Sequence, residues 1–425
     1  MVFAPTIGGG IFYFRDERKN MSERLAILKK ITDKINREAR KDNPESELIA
    51  FVAAGNENLL DFGLIPTGNI AVDEALGGGF PRGTIAQLIG NEGTGKTCLA
   101  MDIIAHNQKI AKEKGDIFIA VYLHLEARAF PFLPAINADV DFESFYIINA
   151  LSSGEKSFDT LMKYLWNWEK RTALNCVDMI VIDSVTAAEP EAELKSAEES
   201  LANATVGRHA AMMSKLLRIL SGSGALGKSL LLLINQYRTD ITSKGDPRVA
   251  TGGKAMGYYP KISITISKPA DGRLYRGPKS NQDYYGHTVK GMIDKNNTQV
   301  GKPYAKFEYP VIYGQGVDLV NPTIDLAIKK GIIDQTSPGR FDLNYNGEIQ
   351  KIHGRDSLEA IVRGDTELFA AIQTTIVECL NETTETNAPS SISDSTEESE
   401  ITSAIDSTEE GNESFRSEDR AETYR

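Results

Sequence analysis

Short apolar runs alternate with helix-compatible stretches over residues 61–320. Four of the runs span residues 86–89, 117–123, 179–182 and 230–234. Strands that are apolar throughout and separated by helices are typical of a parallel sheet covered by helices on both faces. The pattern therefore predicts the α/β fold class, with a mainly parallel sheet as the core of this region.

A different spacing marks the segment ahead of that region, residues 1–60. Apolar side chains recur there every three to four positions, at Leu25, Leu28, Ile31 and Ile35. This spacing, among Lys, Arg and Glu, predicts an amphipathic helix over about residues 22–40. The apolar stripe packs either on the chain's own core or on a neighbouring subunit, and the pattern alone leaves both readings open.

Residues 321–380 predict a smaller α/β unit. A helix near residues 324–330 is followed by extended segments around Asn346-Gly347, a pair typical of a two-residue hairpin turn, and then by two helices. Residues 381–425 contain 16 Ser and Thr and 13 Asp and Glu, which leaves too little apolar surface to form a core. We expect this last segment to be a disordered, acidic, Ser/Thr-rich tail.

Composition and charge exclude several classes of protein. Apolar residues make up 41% of the 425 residues, but no run approaches the roughly 18 that a membrane helix needs, so no membrane partner is expected. The three cysteines lie far apart, which excludes a disulfide scaffold and a thiolate zinc site and fits a cytoplasmic protein. The tail, with 13 acids against 3 Arg, carries −10 of the total charge of −12. The nearly neutral body is therefore compatible with a nucleic-acid partner.

The strongest motif is GNEGTGKT, which follows an apolar run and precedes a helix-compatible stretch. Its spacing is that of a P-loop, whose backbone N–H groups surround phosphate oxygens. In such a loop the lysine, here Lys96, reaches the β- and γ-phosphates, and the hydroxyl of Thr97 binds Mg²⁺. We therefore predict that ATP and Mg²⁺ bind here. The expected nucleotide contacts are Gly90, Asn91, Glu92, Gly93, Thr94, Gly95, Lys96, Thr97 and Cys98.

Two carboxylates at predicted strand ends complete this nucleotide site. Asp183 ends the apolar run MIVID and would hold Mg²⁺ opposite Thr97. Alone, an aspartate at a strand end more often caps a helix or a turn, and its pairing with the P-loop favours the metal role. Glu126 follows another apolar run, where it is either the group that orients the attacking water or an exposed loop carboxylate.

Several separated segments resemble the RecA family of recombinases. They are PTGNIAVDEALGGGFPRGTIAQLIGNEGTGKT, MIVIDSVTAAEPEAEL, AAMMSKLLRIL, LLLLINQYR, ATGGKAMGYYP and FEYPVIYGQGVD. The resemblance runs from about residue 65 to residue 380 and depends on the order and spacing of these segments. It implies a RecA-like P-loop ATPase core in residues 61–320, an N-terminal helix for subunit packing, a small C-terminal α/β domain and an acidic tail.

The resemblance also implies roles in catalysis. Glu126 matches the glutamate that activates water in the family, and Asn235-Gln236 match a switch in which the glutamine senses the γ-phosphate. Lys295-Asn296 match a strand that reaches the ATP of the neighbouring subunit, and Tyr313-Gly314 match the segment that closes over that ATP. The implied catalytic residues are Lys96, Glu126, Gln236 and, in trans, Lys295.

Two DNA-binding loops are implied in the same way. Residues 191–207 match the first loop and residues 237–251 match the second. The implied DNA contacts are Val206, Gly207, Arg238, Ile241, Lys244, Arg248, Thr251, Gly252 and Gly253. The cations of this set would contact the DNA backbone, and Ile241 would insert between bases. Contacts of these two kinds predict binding that does not depend on the DNA sequence.

The chain departs from the family pattern at several positions. Asn297 replaces the second lysine of the trans segment. Phe130 and Leu133 stand where the family has an Asp and a Tyr beside the adenine, and Phe130 or Phe132 would still offer a ring for stacking. His124 replaces an acid two positions before the catalytic glutamate.

The predicted function is that of an ATP-dependent homologous recombination protein. It would form a helical homopolymer on single-stranded DNA, hydrolyse ATP in a DNA-dependent way and exchange strands with a homologous duplex. Expected partners also include loader or mediator proteins and a single-strand binding protein. One alternative is a RecA-like ATPase acting as a helicase motor or repair accessory factor, which the combined N-Q-x-R, T-G-G and trans-lysine pattern disfavours. The other is a nucleotide-locked filament without turnover, which Glu126 disfavours.

Overall fold

The computed structural model describes the chain between residues 63 and 385, with several gaps. The described residues are 63–126, 130, 132–150, 153–167, 172–199, 207–222, 224–239, 248–276, 282–298, 301–345 and 347–385. The amphipathic helix predicted over residues 22–40, and the acidic tail from residue 386 onward, lie outside them.

Strands and helices alternate along the described residues. The strands are β1 (Leu64–Ile65), β2 (Phe80–Pro81), β3 (Ile85–Ile89), β4 (Ala120–His124), β5 (Phe145–Asn149), β6 (Trp166–Asn167), β7 (Thr172–Ala173), β8 (Met179–Asp183), β9 (Leu230–Asn235), β10 (Tyr237–Thr239), β11 (Arg248–Ala250), β12 (Ile262–Ser267), β13 (Arg273–Arg276), β14 (Asp283–Asn296), β15 (Lys306–Ile312), β16 (Gly316–Val317), β17 (Ile333–Ser337), β18 (Arg340–Tyr345) and β19 (Glu348–His353). The helices are α1 (Ile70–Leu76), α2 (Lys96–Glu113), α3 (Phe132–Asn137), α4 (Gly154–Leu165), α5 (Glu191–Glu199), α6 (Arg208–Gly222), α7 (Lys254–Tyr258), α8 (Val320–Lys329), α9 (Arg355–Gly364) and α10 (Thr366–Glu385). Within the described ranges, every helix is too short or too polar to cross a bilayer.

The core is one ten-stranded sheet. Across it the strands follow the order β16-β15-β14-β12-β3-β9-β8-β4-β5, and β13 pairs with β14 beside this path. The six strands from β12 to β5 pair in parallel, and β14, β15 and β16 extend the sheet with antiparallel pairs. The predicted α/β class with a mainly parallel sheet is confirmed.

The four predicted apolar runs lie on the central strands β3, β4, β8 and β9. Every residue of these strands is buried. Burying a Val, Leu or Ile side chain contributes about 1.5–3 kcal/mol to the free energy of folding. A strand that is apolar on both sides is therefore stable only where other elements pack on both faces of the sheet. The largest shift is at β4, which begins at Ala120, three residues later than the run that predicted it, whereas the bounds of β3, β8 and β9 differ by one residue.

Two hydrophobic cores lie on opposite faces of this sheet. Leu230 and Leu232 belong to the first core, together with Leu99 of α2. Leu231 and Leu233 belong to the second core, which contains the buried side of α6. Since alternate residues of a strand point to opposite faces, α2 covers one face of the sheet and α6 covers the other.

The predicted smaller unit follows the sheet. It consists of α8, the three-stranded antiparallel sheet β17-β18-β19, α9 and α10. The predicted hairpin joins β18 to β19, with Gly347 in the left-handed region at φ +81°. The core of this unit includes Ile324, Phe341, Leu358 and Ile372. Helix α10 continues to Glu385, so the boundary predicted at residue 381 falls inside this helix. The helix extends beyond the last apolar residues of its sequence, which had set the predicted boundary.

Asp318 joins the smaller unit to the end of the large sheet. Its buried carboxylate accepts hydrogen bonds from the backbone N–H of Val320, at 3.1 Å, and from Nη2 of Arg363, at 3.0 Å. Arg363 also pairs with the carboxylate of Glu359, at 2.6 Å. The Asp318 carboxylate therefore ties the start of α8 to the end of α9.

We predict that Asp318→Ala lowers the free energy of unfolding by about 2 kcal/mol, because it removes the buried acceptor of both the first N–H group of α8 and the Arg363 cation. Urea denaturation measures this loss. Glu359→Ala is the control, since it removes an exposed i,i+4 ion pair that contributes about 0.5 kcal/mol. Equal losses in the two variants would contradict the role given to Asp318.

Candidate functional site: a P-loop at the carboxyl edge of the sheet

The predicted P-loop connects the carboxyl end of β3 to Lys96, the first residue of α2. Gly95 precedes the helix in the left-handed region, at φ +89°, which L side chains rarely adopt. A Cβ atom on Gly90 would lie 2.5 Å from the carbonyl oxygen of Ile266. These two glycines allow the chain to turn tightly, and the unsatisfied N–H groups at the start of α2 open into the loop.

Lys96 crosses this loop. Its side chain is buried, and Nζ donates to the carbonyl oxygens of Gly90 and Asn91, each 2.8 Å away. Such acceptors are needed because desolvation of an unpaired ammonium is costly. The cation is thus held inside the loop, at the position predicted to meet phosphate.

Thr97 and Asp183 meet at the same edge of the sheet. The Thr97 hydroxyl donates to Oδ2 of Asp183 at 2.9 Å, and Asp183, the last residue of β8, is 4% exposed. A hydroxyl and a carboxylate are hard oxygen donors, which Mg²⁺ accepts together with phosphate oxygens and water. The donor set therefore fits the predicted metal.

Glu126 lies beside this pair. The backbone N–H of Leu125 donates to the carbonyl oxygen of Asp183 at 2.8 Å, so Glu126 stands where β4 and β8 separate. Burial, with added effects of the Asp183 and Glu126 carboxylates, raises the pKa of Tyr122, which places both charges near that ring. Thr97, Asp183 and Glu126 were predicted from separate segments, and the structure brings them together.

The carboxyl end of β9 links the P-loop to the predicted second DNA loop. The N–H of Gly90 donates to the carbonyl oxygen of Asn235 at 3.3 Å. The fully buried Asn235 side chain donates to the carbonyl oxygen of Thr251 and accepts from the N–H of Gln236, both at 2.8 Å. The N–H of Thr251 donates to the carbonyl oxygen of Gln236 at 3.2 Å. The predicted switch and the end of the predicted DNA loop therefore form one hydrogen-bonded unit.

Strands β10 and β11 pair antiparallel and bring the two ends of the predicted second DNA loop together. Gly253, at φ +73°, packs on α6, since a Cβ atom there would lie 2.7 Å from that of Ala210. Gly207, at φ +90°, immediately precedes the same helix. The described ends of both predicted loops are thus adjacent to α6. Outside the described residues lie Val206, Ile241, Lys244 and the side chains of Arg238 and Arg248.

Lys295 lies on the face of the sheet opposite to α2. It pairs with Ser263 across the β12–β14 ladder, and directly paired residues share a face. Ser263 accepts from the side-chain amide of Gln87 at 2.8 Å, and that amide also donates to Met256 of α7, which belongs to the second core. Nζ of Lys295 donates to two carbonyl oxygens at the end of α7, 2.9 and 3.1 Å away. The sheet therefore separates this ammonium from the P-loop helix of its own chain.

Tyr313 follows β15 at the carboxyl edge of the sheet. Its hydroxyl accepts from Nζ of Lys268 at 2.8 Å and lies 2.7 Å from the hydroxyl of Tyr284. The hydrogen bond to Tyr313 raises the pKa of Lys268. Val311, two residues earlier, would lie 3.4 Å from a Cβ atom on Gly95. Tyr313 therefore follows a strand that reaches the P-loop of its own chain, and its contact with the ATP of a neighbouring subunit stays a prediction.

The aromatic residues after β4 divide between core and surface. Phe130 is 8% exposed, and its ring lies edge-on to Tyr122 with the centroids 5.2 Å apart. Phe132 and Leu133 of α3 are 52% and 57% exposed. Of the two rings given as alternatives for stacking on adenine, the ring of Phe132 is accessible, whereas the ring of Phe130 is packed in the core.

Two buried side chains at this edge were not predicted. Tyr122, fully buried in β4, donates its hydroxyl to Oδ2 of Asp183. His287 is 2% exposed, and neither ring nitrogen has a partner among the described residues. Burial and the charge of Lys268 lower the pKa of His287 to about 4, so it adds no charge beside the P-loop at neutral pH. The signal that could have identified Tyr122 is a hydroxyl inside an apolar run, whereas no pattern in the sequence marks His287.

Comparison with known proteins relates this arrangement to one family. The model of the RecA N-terminal domain matches residues 34–318. Protein RecA of Bacteroides thetaiotaomicron is 30% identical over 365 residues, which cover 85% of this chain and 99% of that protein. Protein RecA of Chlorobium limicola is 32% identical over 323 residues, 76% of this chain and 84% of that protein. A solved structure of the RadB recombinase gives a TM-score of 0.42 at 18% identity, over 60% of this chain and 98% of that one, a score too low to support a conclusion.

We predict that Asn235→Ala makes amide hydrogen exchange in β10 and β11 roughly 30-fold faster. The Thr251 carbonyl and the Gln236 N–H would each lose a buried partner, at a local cost of about 2 kcal/mol. Exchange followed by mass spectrometry measures the effect. Asn297→Ala, at an exposed position, is the control and should leave exchange unchanged. Unaltered protection of β10 and β11 in Asn235→Ala would contradict the link.

Proposed function

The chain belongs to the RecA family of recombinases, and from that premise we propose that it polymerises on single-stranded DNA in the cytoplasm, hydrolyses ATP in a DNA-dependent way and catalyses homologous pairing and strand exchange. One observation carries the proposal. The backbone of Asn235 bonds to the P-loop, and its side chain bonds to the residue that ends the second DNA loop. Nucleotide and DNA would thus bind to two segments that one buried residue, Asn235, connects.

The P-loop residues bind the phosphates in this proposal. Lys96 exchanges its two carbonyl acceptors for phosphate oxygens, and the backbone N–H groups at the start of α2 bind the remaining oxygens. Thr97 and Asp183 hold Mg²⁺, which supplies positive charge at the β- and γ-phosphates when it is bound. Because Lys96 and Asp183 are already buried, and Asp183 already accepts a hydrogen bond from Thr97, little reorganisation of these side chains is needed at the moment of reaction.

Glu126 orients the water that attacks the γ-phosphate. Its position supports this role, since it follows β4 directly beside the Asp183 end of β8. A carboxylate that accepts the proton of a positioned water contributes about 10²–10⁴ in rate. The general base, Glu126, and the metal-binding carboxylate, Asp183, then come from the ends of two neighbouring strands at one edge of the sheet.

Gln236 carries the state of the γ-phosphate to the DNA loop. Its N–H is held by Asn235 and its carbonyl by Thr251, so a movement of Gln236 toward phosphate displaces β10 and β11 together. The DNA-binding residues of that loop would follow. Cations on the backbone and an apolar wedge at Ile241 make such binding independent of sequence.

Lys295 completes the active site of a neighbouring subunit in this proposal. The sheet lies between Lys295 and its own α2, which supports an action in trans. A lysine that reaches the transferring phosphate from outside stabilises developing negative charge as an arginine finger does. Hydrolysis would then require contact between subunits, as expected for a filament.

Hydrolysis measured with and without single-stranded DNA, together with filament imaging, tests this function. We predict that DNA stimulates the wild-type protein. Glu126→Gln should keep ATP binding and filaments while its turnover falls about a hundredfold, the size of a general-base contribution. Lys96→Ala is the contrasting variant and should lose nucleotide binding, since the buried cation of the P-loop is gone.

These experiments distinguish failure of the proposed function from failure of the role given to Glu126. A wild-type protein that forms no filaments and shows no stimulation by DNA would refute the proposed function. Turnover of Glu126→Gln at the wild-type rate, in a protein that DNA does stimulate, would refute the role of Glu126 alone.

We predict that Lys295→Ala poisons wild-type filaments. Each altered subunit would disable the nucleotide site of its neighbour, so hydrolysis in mixtures should fall below the value expected from the wild-type fraction. Lys261→Ala is a matched control, because it removes an exposed lysine close to Lys295. Hydrolysis that falls in proportion to the wild-type fraction would show that Lys295 does not act in trans.

A further inference from the structure

Tyr122 is held rigidly in the first core. It is fully buried in β4, and its ring lies edge-on to Phe130, at 5.2 Å and 85°, and to Phe145, at 6.0 Å and 64°. Edge-to-face contacts of this kind favour one ring orientation. The direction of the Tyr122 hydroxyl is therefore set by packing that does not involve the nucleotide site.

That hydroxyl points to the metal-binding carboxylate. It donates to Oδ2 of Asp183, the oxygen that also accepts from the hydroxyl of Thr97. Asp183 is 4% exposed, so water has little access to replace either donor. The side-chain oxygens of Thr97, Asp183 and Tyr122 thus form one cluster, in which Tyr122 is the residue that no sequence motif predicted.

We propose that Tyr122 is a positioning residue, which orients the Asp183 carboxylate for Mg²⁺ without touching the metal or the nucleotide. This inference rests on the proposed function, because it assigns Asp183 to the metal. Thr97 and Asp183 would hold the ion through their side-chain oxygens, whereas the Tyr122 hydroxyl is held on Asp183 by core packing. Tyr122 therefore remains a donor to Asp183 whether or not the site is filled.

Removing the Tyr122 hydroxyl should lower the affinity for Mg²⁺ by a factor that comparable residues in other metal sites indicate. Residues that orient a metal ligand from behind typically contribute 10–100-fold to metal affinity. A carboxylate that has lost one of two donors can rotate, and the rotation reduces the fraction of time in which it faces the ion. We expect a change near the lower end of the range, since Thr97 still contacts Asp183.

Tyr309 provides a matched control. It is 1% exposed, lies in the same hydrophobic core, and its hydroxyl has no hydrogen-bond partner within the described ranges. Tyr122→Phe and Tyr309→Phe each remove one hydroxyl from a buried tyrosine. The two variants differ in whether that hydroxyl contacts Asp183.

The test measures ADP binding by titration calorimetry at a series of Mg²⁺ concentrations. In Tyr122→Phe the Mg²⁺ concentration that gives half of the maximal gain in ADP affinity should rise about tenfold. The ADP affinity at saturating Mg²⁺ should stay near the wild-type value, because no phosphate contact is lost. Tyr309→Phe should match the wild-type protein in both quantities.

Phe130→Leu is a second variant that keeps the Tyr122 hydroxyl and removes a ring that orients it. It should shift the Mg²⁺ midpoint in the same direction by a smaller factor, with circular dichroism melting used to confirm that each variant is folded. An unshifted midpoint in Tyr122→Phe would overturn the inference, and so would equal shifts in Tyr122→Phe and Tyr309→Phe. A wild-type protein that fails to bind ADP at any Mg²⁺ concentration would overturn the proposed function itself.

Discussion

The parallel pairing of β3 with β9 is the interaction on which the rest of the site depends. Its register sets Ile89, the last residue before the P-loop, opposite Asn235. The neighbouring pairs continue the alignment, with Asp183 opposite Ile234 and His124 opposite Asp183. A slip of one residue would turn every side chain of a strand to the other face, and because both faces are packed, that slip is strongly disfavoured. The core packing of the sheet therefore determines which polar residues meet at its edge.

The same sheet divides the predicted functional residues into two groups. Lys96 and Thr97 begin the helix on one face, whereas Lys295 is bound to the end of α7 on the other. A side chain cannot cross a sheet filled by Leu, Ile and Val without leaving its charge unpaired in an apolar layer. The fold thus presents the nucleotide loop and Lys295 on different surfaces of one chain. A closed single subunit could not bring them together, whereas head-to-tail copies could.

Much of this site could be predicted because its residues follow apolar runs. Asp183, Glu126 and Asn235 each stand at or just after the end of such a run, and the ends of parallel strands share an edge. The order of the strands in the sheet, and the face to which each side chain points, do not follow from residue spacing. The sequence therefore could not show that the sheet separates Lys295 from its own P-loop, or that the strand before Tyr313 reaches that loop. Spacing also left open whether Phe130 or Phe132 offers its ring at the surface, since a buried and an exposed ring two positions apart look alike in sequence. Tyr122 was missed because a tyrosine in a strand usually signals packing.

The amide of Asn235 has a consequence for how the two ligands affect each other. If ATP and DNA both act on the hydrogen bonds of this one side chain, the coupling between them is a property of the equilibrium and must be reciprocal. If ATP raises the affinity for DNA by some factor, DNA must raise the affinity for ATP by the same factor. Subunits bound along a DNA strand would then hold ATP more tightly than free subunits. Hydrolysis in one subunit would weaken the binding of both ligands there, while the other subunits keep theirs.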